Sequence, residues 1–346
     1  MALPRGRFAL VLAVACLLLL GWFMLMPYVG TNARQPDKPG DQSKPRTPFA
    51  GGNPAVPAFI NPAPFDGRRA LGYVRDLCKI GPRISGSDGM KKQQELIKAH
   101  FEKLGAKVEF QRFRAKQVSR PAPVEMTNIL ITWHPDRERR VLICSHYDTR
   151  PRADQEPDRN DWDKPFVSAN DGTSGVAWLM ELGNHVTHLP LTIGLDFALF
   201  DGEEYVFDGA GPDARDKYFF GSEHFGEQYK KDRGGKYYAA GILLDLFAGK
   251  DAKYPVEQNS WFAAQPVVNE IWGTAAELKV PAFQQQPGPQ VSDDHLALNR
   301  AGIPTVDIID FSYPHWHRLS DLPDQCSAES MENLSRVLTI WLQRAR

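Results

Sequence analysis

Apolar residues recur at helical spacing over Asp66 to Ile80 and again over Asp88 to Leu104, where Met90, Leu96, Ile97, Phe101 and Leu104 share a face and Gly105 follows as a stop. The pattern then changes. Lys107 to Phe113, Thr127 to Trp133 and Arg140 to Ser145 carry the β-branched and apolar runs of strands, the first two separated by the turn-prone Ser119-Arg120-Pro121-Ala122-Pro123. Helix and strand alternate after that: Ser174 to Leu189 predicts a helix, Thr192 to Phe200 a strand, Ser222 to Lys231 a helix and Ala239 to Leu246 a strand. Gln265 to Leu278 predicts a helix, Asp294 to Arg300 a short one ended by Gly302, and Ile303 to Ile309 a strand. Ser327 to Arg344 closes the chain as a helix with Ser327 as its cap. Alternation of this kind is that of parallel βαβ units, while the closely spaced early strands predict an antiparallel part. The expected fold is α/β: one three-layer αβα domain with a mixed, mostly parallel central sheet and no internal repeat.

The first residues do not belong to that domain. Phe8 to Val29 contains no charge, follows Arg5 and Arg7, and is long enough for a bilayer-spanning helix. An uncleaved anchor fits better than a cleaved signal peptide, whose apolar region is shorter and ends in a small-residue site. Residues 30–65 turn to Pro, Gly, Lys, Asp and Ser, with too few large apolar side chains to offset the entropy of ordering, and read as a tether. The expected organisation is an anchor or signal segment over 1–29, a tether over 30–65 and a catalytic domain over 66–346, held at a membrane and exported, with secretion as the alternative.

Composition sharpens this only a little. Of the 346 residues, 42% are hydrophobic and 11% aromatic, ample for a core. A net charge of -1, with no dense run of Lys or Arg, makes nucleic acid an unexpected partner. The four cysteines, at 16, 78, 144 and 326, form no CxxC pair, so a metal here would not be held by thiolates. Cys78 and Cys326 end and precede predicted helices, and a disulfide between them would be compatible with export.

Chemistry concentrates where strands end. Asp201-Gly202-Glu203-Glu204 follows an apolar run, and His146-Tyr147-Asp148, Ala169-Asn170-Asp171-Gly172, Asp245, Asp293-Asp294-His295 and Trp316-His317 lie at or after other runs. A tandem of acids on a solvated surface means little. In open α/β sheets, however, ligands gather outside the carboxyl ends of the strands, and acids far apart in sequence converge there. Oxygen and imidazole donors together suit zinc. Asp148, two residues beyond His146 on extended chain, is expected to orient the imidazole. Asp245 sits in an apolar run, where an unpaired carboxylate would be costly, and needs a cation or a donor. Asp154 to Lys164 reads as a solvated charged loop, and His185, His188, His224 and His295 as surface or packing positions on helices.

The phrases HYD, ANDGTSG, DGEE, LLDL, DDH and WH, in that order and spacing across residues 66–346, resemble the M28 zinc-peptidase family and its glutaminyl cyclase branch. The resemblance implies that Asp171, Glu204 and His317 hold a catalytic zinc, and that His146 and Asp245 hold a second metal as in the aminopeptidases, giving one or two zinc ions. It implies a general acid/base in Glu203, and a hydrogen-bond network beside the substrate amine in Asp245 and Asp294. Trp316 becomes a pocket wall and Tyr313 part of the same aromatic pocket. Animal cyclases carry a pocket tryptophan after DGEE where this chain reads Tyr205-Val206-Phe207, so Phe207 either replaces that wall or packs beneath it. The implied activity is conversion of N-terminal glutamine of peptides to pyroglutamate with release of ammonia. Asn170-Asp171-Gly172 is closer to the peptidase form and keeps a di-zinc aminopeptidase open, and a catalytically inactive, membrane-tethered binding protein is a third reading.

Overall fold

The computed structural model describes residues 61–207 and 215–346; the apolar segment 8–29, residues 30–60 of the tether and residues 208–214 lie outside them. Asp66 opens the first helix by accepting hydrogen bonds from the backbone N–H groups of Arg68 and Arg69, and α1 runs over Gly67–Cys78. Ser87 caps α2, Asp88–Lys103, through the Met90 N–H. Then follow β1 (Lys107–Ala115), β2 (Val124–Trp133), β3 (Arg139–His146), α3 (Thr173–Gly183), β4 (Gly194–Phe200), α4 (Phe220–Lys231) and β5 (Tyr237–Asp245). The chain closes with β6 (Tyr254–Val256), α5 (Gln258–Glu277), β7 (Phe283–Pro287), α6 (His295–Arg300), β8 (Thr305–Ile309) and α7 (Ala328–Arg344).

Six strands form the sheet in the order β1-β2-β4-β3-β5-β8. β1, β2 and β4 pair antiparallel, while β4, β3, β5 and β8 run parallel, with His146 opposite Phe200 and Asp245 opposite Ile309 at the carboxyl ends. Alternation along each strand feeds two cores. Val141, Ile143, Leu195, Phe197, Ile242 and Leu244 pack with residues of α1, α2, α3, α5 and α7, whereas Leu142, Cys144, Ala198, Phe200 and Leu243 meet α4 and α6. The architecture is the three-layer αβα sandwich with a mixed sheet expected from the pattern. Every residue of α3 is buried, so the helix that follows Asp171 is a rigid central post.

Differences from the expected elements have local causes. The helix expected from Gln265 begins seven residues earlier, at Gln258, with Glu257 as its cap; Pro266 kinks it at Ala264 rather than starting it. Helix α3 ends at Gly183, and the remainder of its expected span becomes a single 3-10 turn over Val186–His188. The small parallel sheet of β6 and β7 was not expected, since its strands are too short to show a period. Cys78 and Cys326 are both free thiols, so the disulfide that export would have permitted is not formed. The Cys78 Sγ instead faces the Val167 carbonyl at 3.9 Å. Among the described residues no helix is long and apolar enough to cross a membrane, and the expected anchor lies outside them.

At the amino end of β3, Arg140 is fully buried. Its Nε and Nη2 donate to Asp196 at 2.8 and 2.7 Å, and its remaining N–H groups reach the carbonyls of Trp133, His134, Arg137 and Leu195. Tyr238 Oη and Lys236 Nζ also donate to Asp196. Burial pushes the Asp196 carboxyl up, but Arg140 and Lys236 outweigh it and hold it below the usual carboxylate range. The group therefore stabilises the fold above that range and loses its contribution as pH falls through its lowered pKa. Replacing Arg140 by methionine strips the buried Asp196 of its forked partner and leaves it only Lys236 and Tyr238, and the full chain is expected to lose about 3 kcal/mol of unfolding free energy in urea titration. A loss below about 1 kcal/mol, the worth of an exposed pair, would contradict this account.

Candidate metal centre and active site

Each candidate ligand stands where the sheet or its central helix releases the chain. His146 ends β3, Asp245 ends β5, the Asp201–Glu204 turn leaves β4, and Asp171 stands one residue before Gly172, the N-cap of α3. His317 comes in from the loop after β8. The side chains converge. His146 Nε2 lies 3.0 Å from Asp171 Oδ1 and 3.4 Å from Asp245 Oδ1, while His317 Nε2 lies 3.2 Å from Glu204 Oε2 and 3.7 Å from Asp171 Oδ2. Asp171, Glu204 and His317 form one group whose ligand atoms all fall within 4.8 Å of one another, and His146, Asp171 and Asp245 form another. Asp171 belongs to both, and a third such group joins His146 with Glu203 and Glu204.

The donors fit a divalent cation. Asp171 Oδ2, Glu204 Oε2, Asp245 Oδ1 and both ring nitrogens of His146 are buried without a hydrogen-bond partner. Such atoms are costly unless something positive meets them. Burial drives Glu204 up to about 7, with Asp171 adding to the rise, and burial likewise lowers the affinity of His146 for a proton. The surrounding Asp148, Asp171 and Asp245 overturn that on His146 and raise it well above the usual imidazole value. A field that holds a proton so firmly also holds a metal ion, and mixed nitrogen and oxygen donors suit zinc.

Three further carboxylates hold the ligands in place. Asp148 accepts from the backbone N–H groups of Glu203 at 3.1 Å and Glu204 at 3.2 Å, and lies farther, 3.5 Å, from His146 Nδ1. Its shorter contacts are to the acidic tandem rather than to the imidazole it was expected to orient. Asp321 accepts from the N–H groups of Asn170 and Asp171. Asp154, expected to be solvated, instead has a side chain 5% exposed, paired with Arg150 and 3.1 Å from His317 Nδ1. Burial raises the Asp154 carboxyl, but His317 and Arg150 prevail and bring it down to about 2. Being ionised it can only accept, so His317 Nδ1 carries the hydrogen and Nε2 is the nitrogen left for the metal. Gly172, at φ +72°, allows the loop to close on the ring: a Cβ there would stand 2.7 Å from His146 Cε1. Asp201, the first acid of the turn, accepts from Ser85 Oγ and the Thr127 N–H and is structural.

Beside the ligands lies a cavity of about 280 Å³. Tyr218, Phe219, Phe311 and Trp316 wall it, and Glu203, Asp245 and Asp293 face it together with the metal group. Burial holds the Glu203 carboxyl well above its usual value; His146 opposes this, while Asp293 and Glu204 reinforce it. Of the expected substrate contacts only Trp316 lines this cavity. Phe207 lies outside it, stacked edge-on against Tyr205 and under the Arg120 guanidinium, and Tyr313 is buried behind it with its hydroxyl on Asp321. Asp294 turns away from the cavity. It starts α6 with helical dihedrals and accepts from Ser222 Oγ on α4, whereas its neighbour Asp293 faces the cavity. The paired acids signalled the position but not which one points inward. Phe311 and Tyr218-Phe219 were missed; their only signal is aromatic character next to a strand end and a helix start.

With this geometry in view, residues 128–341 match Peptidase family M28. Over 375 aligned positions the chain is 26% identical to the glutaminyl-peptide cyclotransferase-like protein of Mus musculus, covering 98% of this chain and 91% of that one. The crystal structure of Fimbriiglobus ruber glutaminyl cyclase superposes with a TM-score of 0.81 and 49% identity, covering 85% of this chain and all of that one (100%). The glutaminyl cyclase of Bacteroides thetaiotaomicron, solved bound to N-acetylhistamine, gives a TM-score of 0.76 and 27% identity over 82% of this chain and 99% of that one. This chain belongs to peptidase family M28, in the branch that contains the glutaminyl cyclases.

Proposed function

We propose that the protein is a zinc-dependent glutaminyl-peptide cyclotransferase, which closes the N-terminal glutamine of a peptide into pyroglutamate and releases ammonia. The observation that carries this reading is the third cavity carboxyl: Asp293 faces the substrate space together with Glu203 and Asp245. A hydrolase that activates water needs one base. Cyclisation moves protons between two substrate nitrogens, and acids around both serve it. The cavity is at the small end for a ligand site, in keeping with one residue and its α-amine.

Asp245 and Asp293 are the acids we assign to the substrate amine, and the aromatic walls hold the side chain and keep water from competing with the amine. Zinc, when bound by Asp171, Glu204 and His317, supplies Lewis-acid polarisation of the side-chain amide carbonyl. The α-amine nitrogen attacks the amide carbon, closing a five-membered ring, and the bond from that carbon to the amide nitrogen breaks. Glu203 takes one proton from the attacking amine and passes it to the departing nitrogen, which leaves as ammonia. A carboxyl raised by burial is suited to taking the proton from the amine, because it binds one readily, and the departing nitrogen lies within the same site to receive it. Holding amine and carbonyl of one residue face to face replaces a bimolecular encounter.

The group formed by His146, Asp171 and Asp245 supports a second reading, a two-metal aminopeptidase. Product analysis separates the two: on a Gln-peptide the cyclase releases ammonia, the peptidase free amino acid. Wild-type protein is expected to release ammonia without free glutamine, and a Glu203→Gln variant to keep its zinc while losing about 10²–10⁴-fold in turnover. Free amino acid as the main product would sink the cyclase reading, and unchanged turnover would remove Glu203 from its role. Between the paired acids, Asp293→Asn is expected to lose at least about 10²-fold in kcat/KM and Asp294→Asn much less; the reverse order would reassign the cavity.

We further propose that residues 8–29 anchor an exported catalytic domain through the 30–65 tether, supported by their unbroken apolar character. The full chain is then expected to sediment with membranes, and deletion of residues 1–29 to release active enzyme. Full-length protein found entirely in the wash at low salt would contradict this.

A further inference from the structure

Arg150 lies one strand-end loop away from the ligands and is 1% exposed, although nothing in the motif pattern marks it. Its contacts run in three directions. Its backbone N–H donates to Glu204 Oε1 at 2.7 Å, which leaves Oε2 as the oxygen turned toward His317. Its guanidinium forks onto Asp154, Nε to Oδ1 at 3.1 Å and Nη2 to Oδ2 at 2.6 Å, and the same Oδ1 faces His317 Nδ1. Nη2 also donates to the Tyr218 hydroxyl at 3.1 Å, with the guanidinium 5.5 Å from the centre of the ring that walls the cavity.

We propose that Arg150 is a positioning residue that fixes the metal ligands Glu204 and His317 and the cavity wall Tyr218 in one register. The physical reason is the fork. A planar guanidinium holds both oxygens of Asp154 at once, so the carboxylate cannot swing into solvent. Held there, it keeps the hydrogen on His317 Nδ1 and the ring turned so that Nε2 faces Asp171 and Glu204. Partners of this kind that orient a metal-bound histidine are commonly worth 10–100-fold in metal affinity. The third contact extends the same rigidity to the substrate side, so one side chain couples metal site to pocket. Leu319, two residues beyond His317, is held from the same loop by Glu156, which accepts its N–H at 2.7 Å.

The proposal rests on the zinc reading above, and the test separates the two. Zinc affinity of the full chain is measured by competition with a chromogenic chelator for wild type, Arg150→Met, Asp154→Ala and the double variant. Arg150→Met and Asp154→Ala are each expected to weaken zinc by about 10–100-fold, and the double variant to be little weaker than Asp154→Ala alone, because both act through one histidine. Arg150→Lys keeps the charge without the fork and is expected to fall with the methionine variant; it carries the test if that variant does not fold. Tyr218→Phe should leave zinc affinity at the wild-type value while raising KM more than it lowers kcat. Folded Arg150 variants with wild-type zinc affinity, or losses that add in the double variant, would overturn the role given to Arg150. A wild-type chain that binds no zinc would overturn the metal reading itself.

Discussion

Five carboxyl groups, Asp171, Glu203, Glu204, Asp245 and Asp293, crowd one end of a buried sheet, and their mutual repulsion in a place largely shut off from water is the constraint the rest of the site answers to. Among the described residues no Lys or Arg side chain lines their cavity. The charge is met by His146 and His317, and the oxygens that stand unpartnered suit a divalent ion. Burial and its acidic neighbours keep the Glu203 carboxyl prone to hold a proton, the property the proposed acid/base role draws on.

Holding such groups together requires a frame that does not yield. Asp148 and Asp321 grip the backbone of the ligand-bearing turns and Asp154 grips the ring of His317. The chain accepts strain to reach these positions: Ser168, Phe219, Leu246 and His317 all take positive φ values, at about 1–3 kcal/mol each. Stability comes from elsewhere. The Arg140 and Asp196 network begins β3, six residues before its ligand, so the sheet is fastened at one end and open to chemistry at the other.

Much of this was legible in the chain before its structure. The alternating periods gave the layer order and the mixed sheet, and the motifs marked His146, Asp171, Glu203, Glu204, Asp245, Trp316 and His317, which the structure brings to one end of that sheet. Helix α5 starts seven residues before the expected Gln265, because the chain tolerates Pro266 by bending at Ala264 instead of ending there. Asp154 was misjudged because a run of charges reads as solvated whichever of its members folds inward.

Residue type and spacing by themselves determined that acids and imidazoles would end the strands, since a strand's period and its termini are local properties of the chain. Which neighbour does the work was decided only in three dimensions. Asp293 and Asp294 differ by one step on a helix start, and the docking of α6 against α4 sends one to the cavity and the other to Ser222. Likewise Asp154, held by Arg150, meets His317 only because the loop from His317 returns beside it, a contact spanning 163 residues that no local pattern encodes.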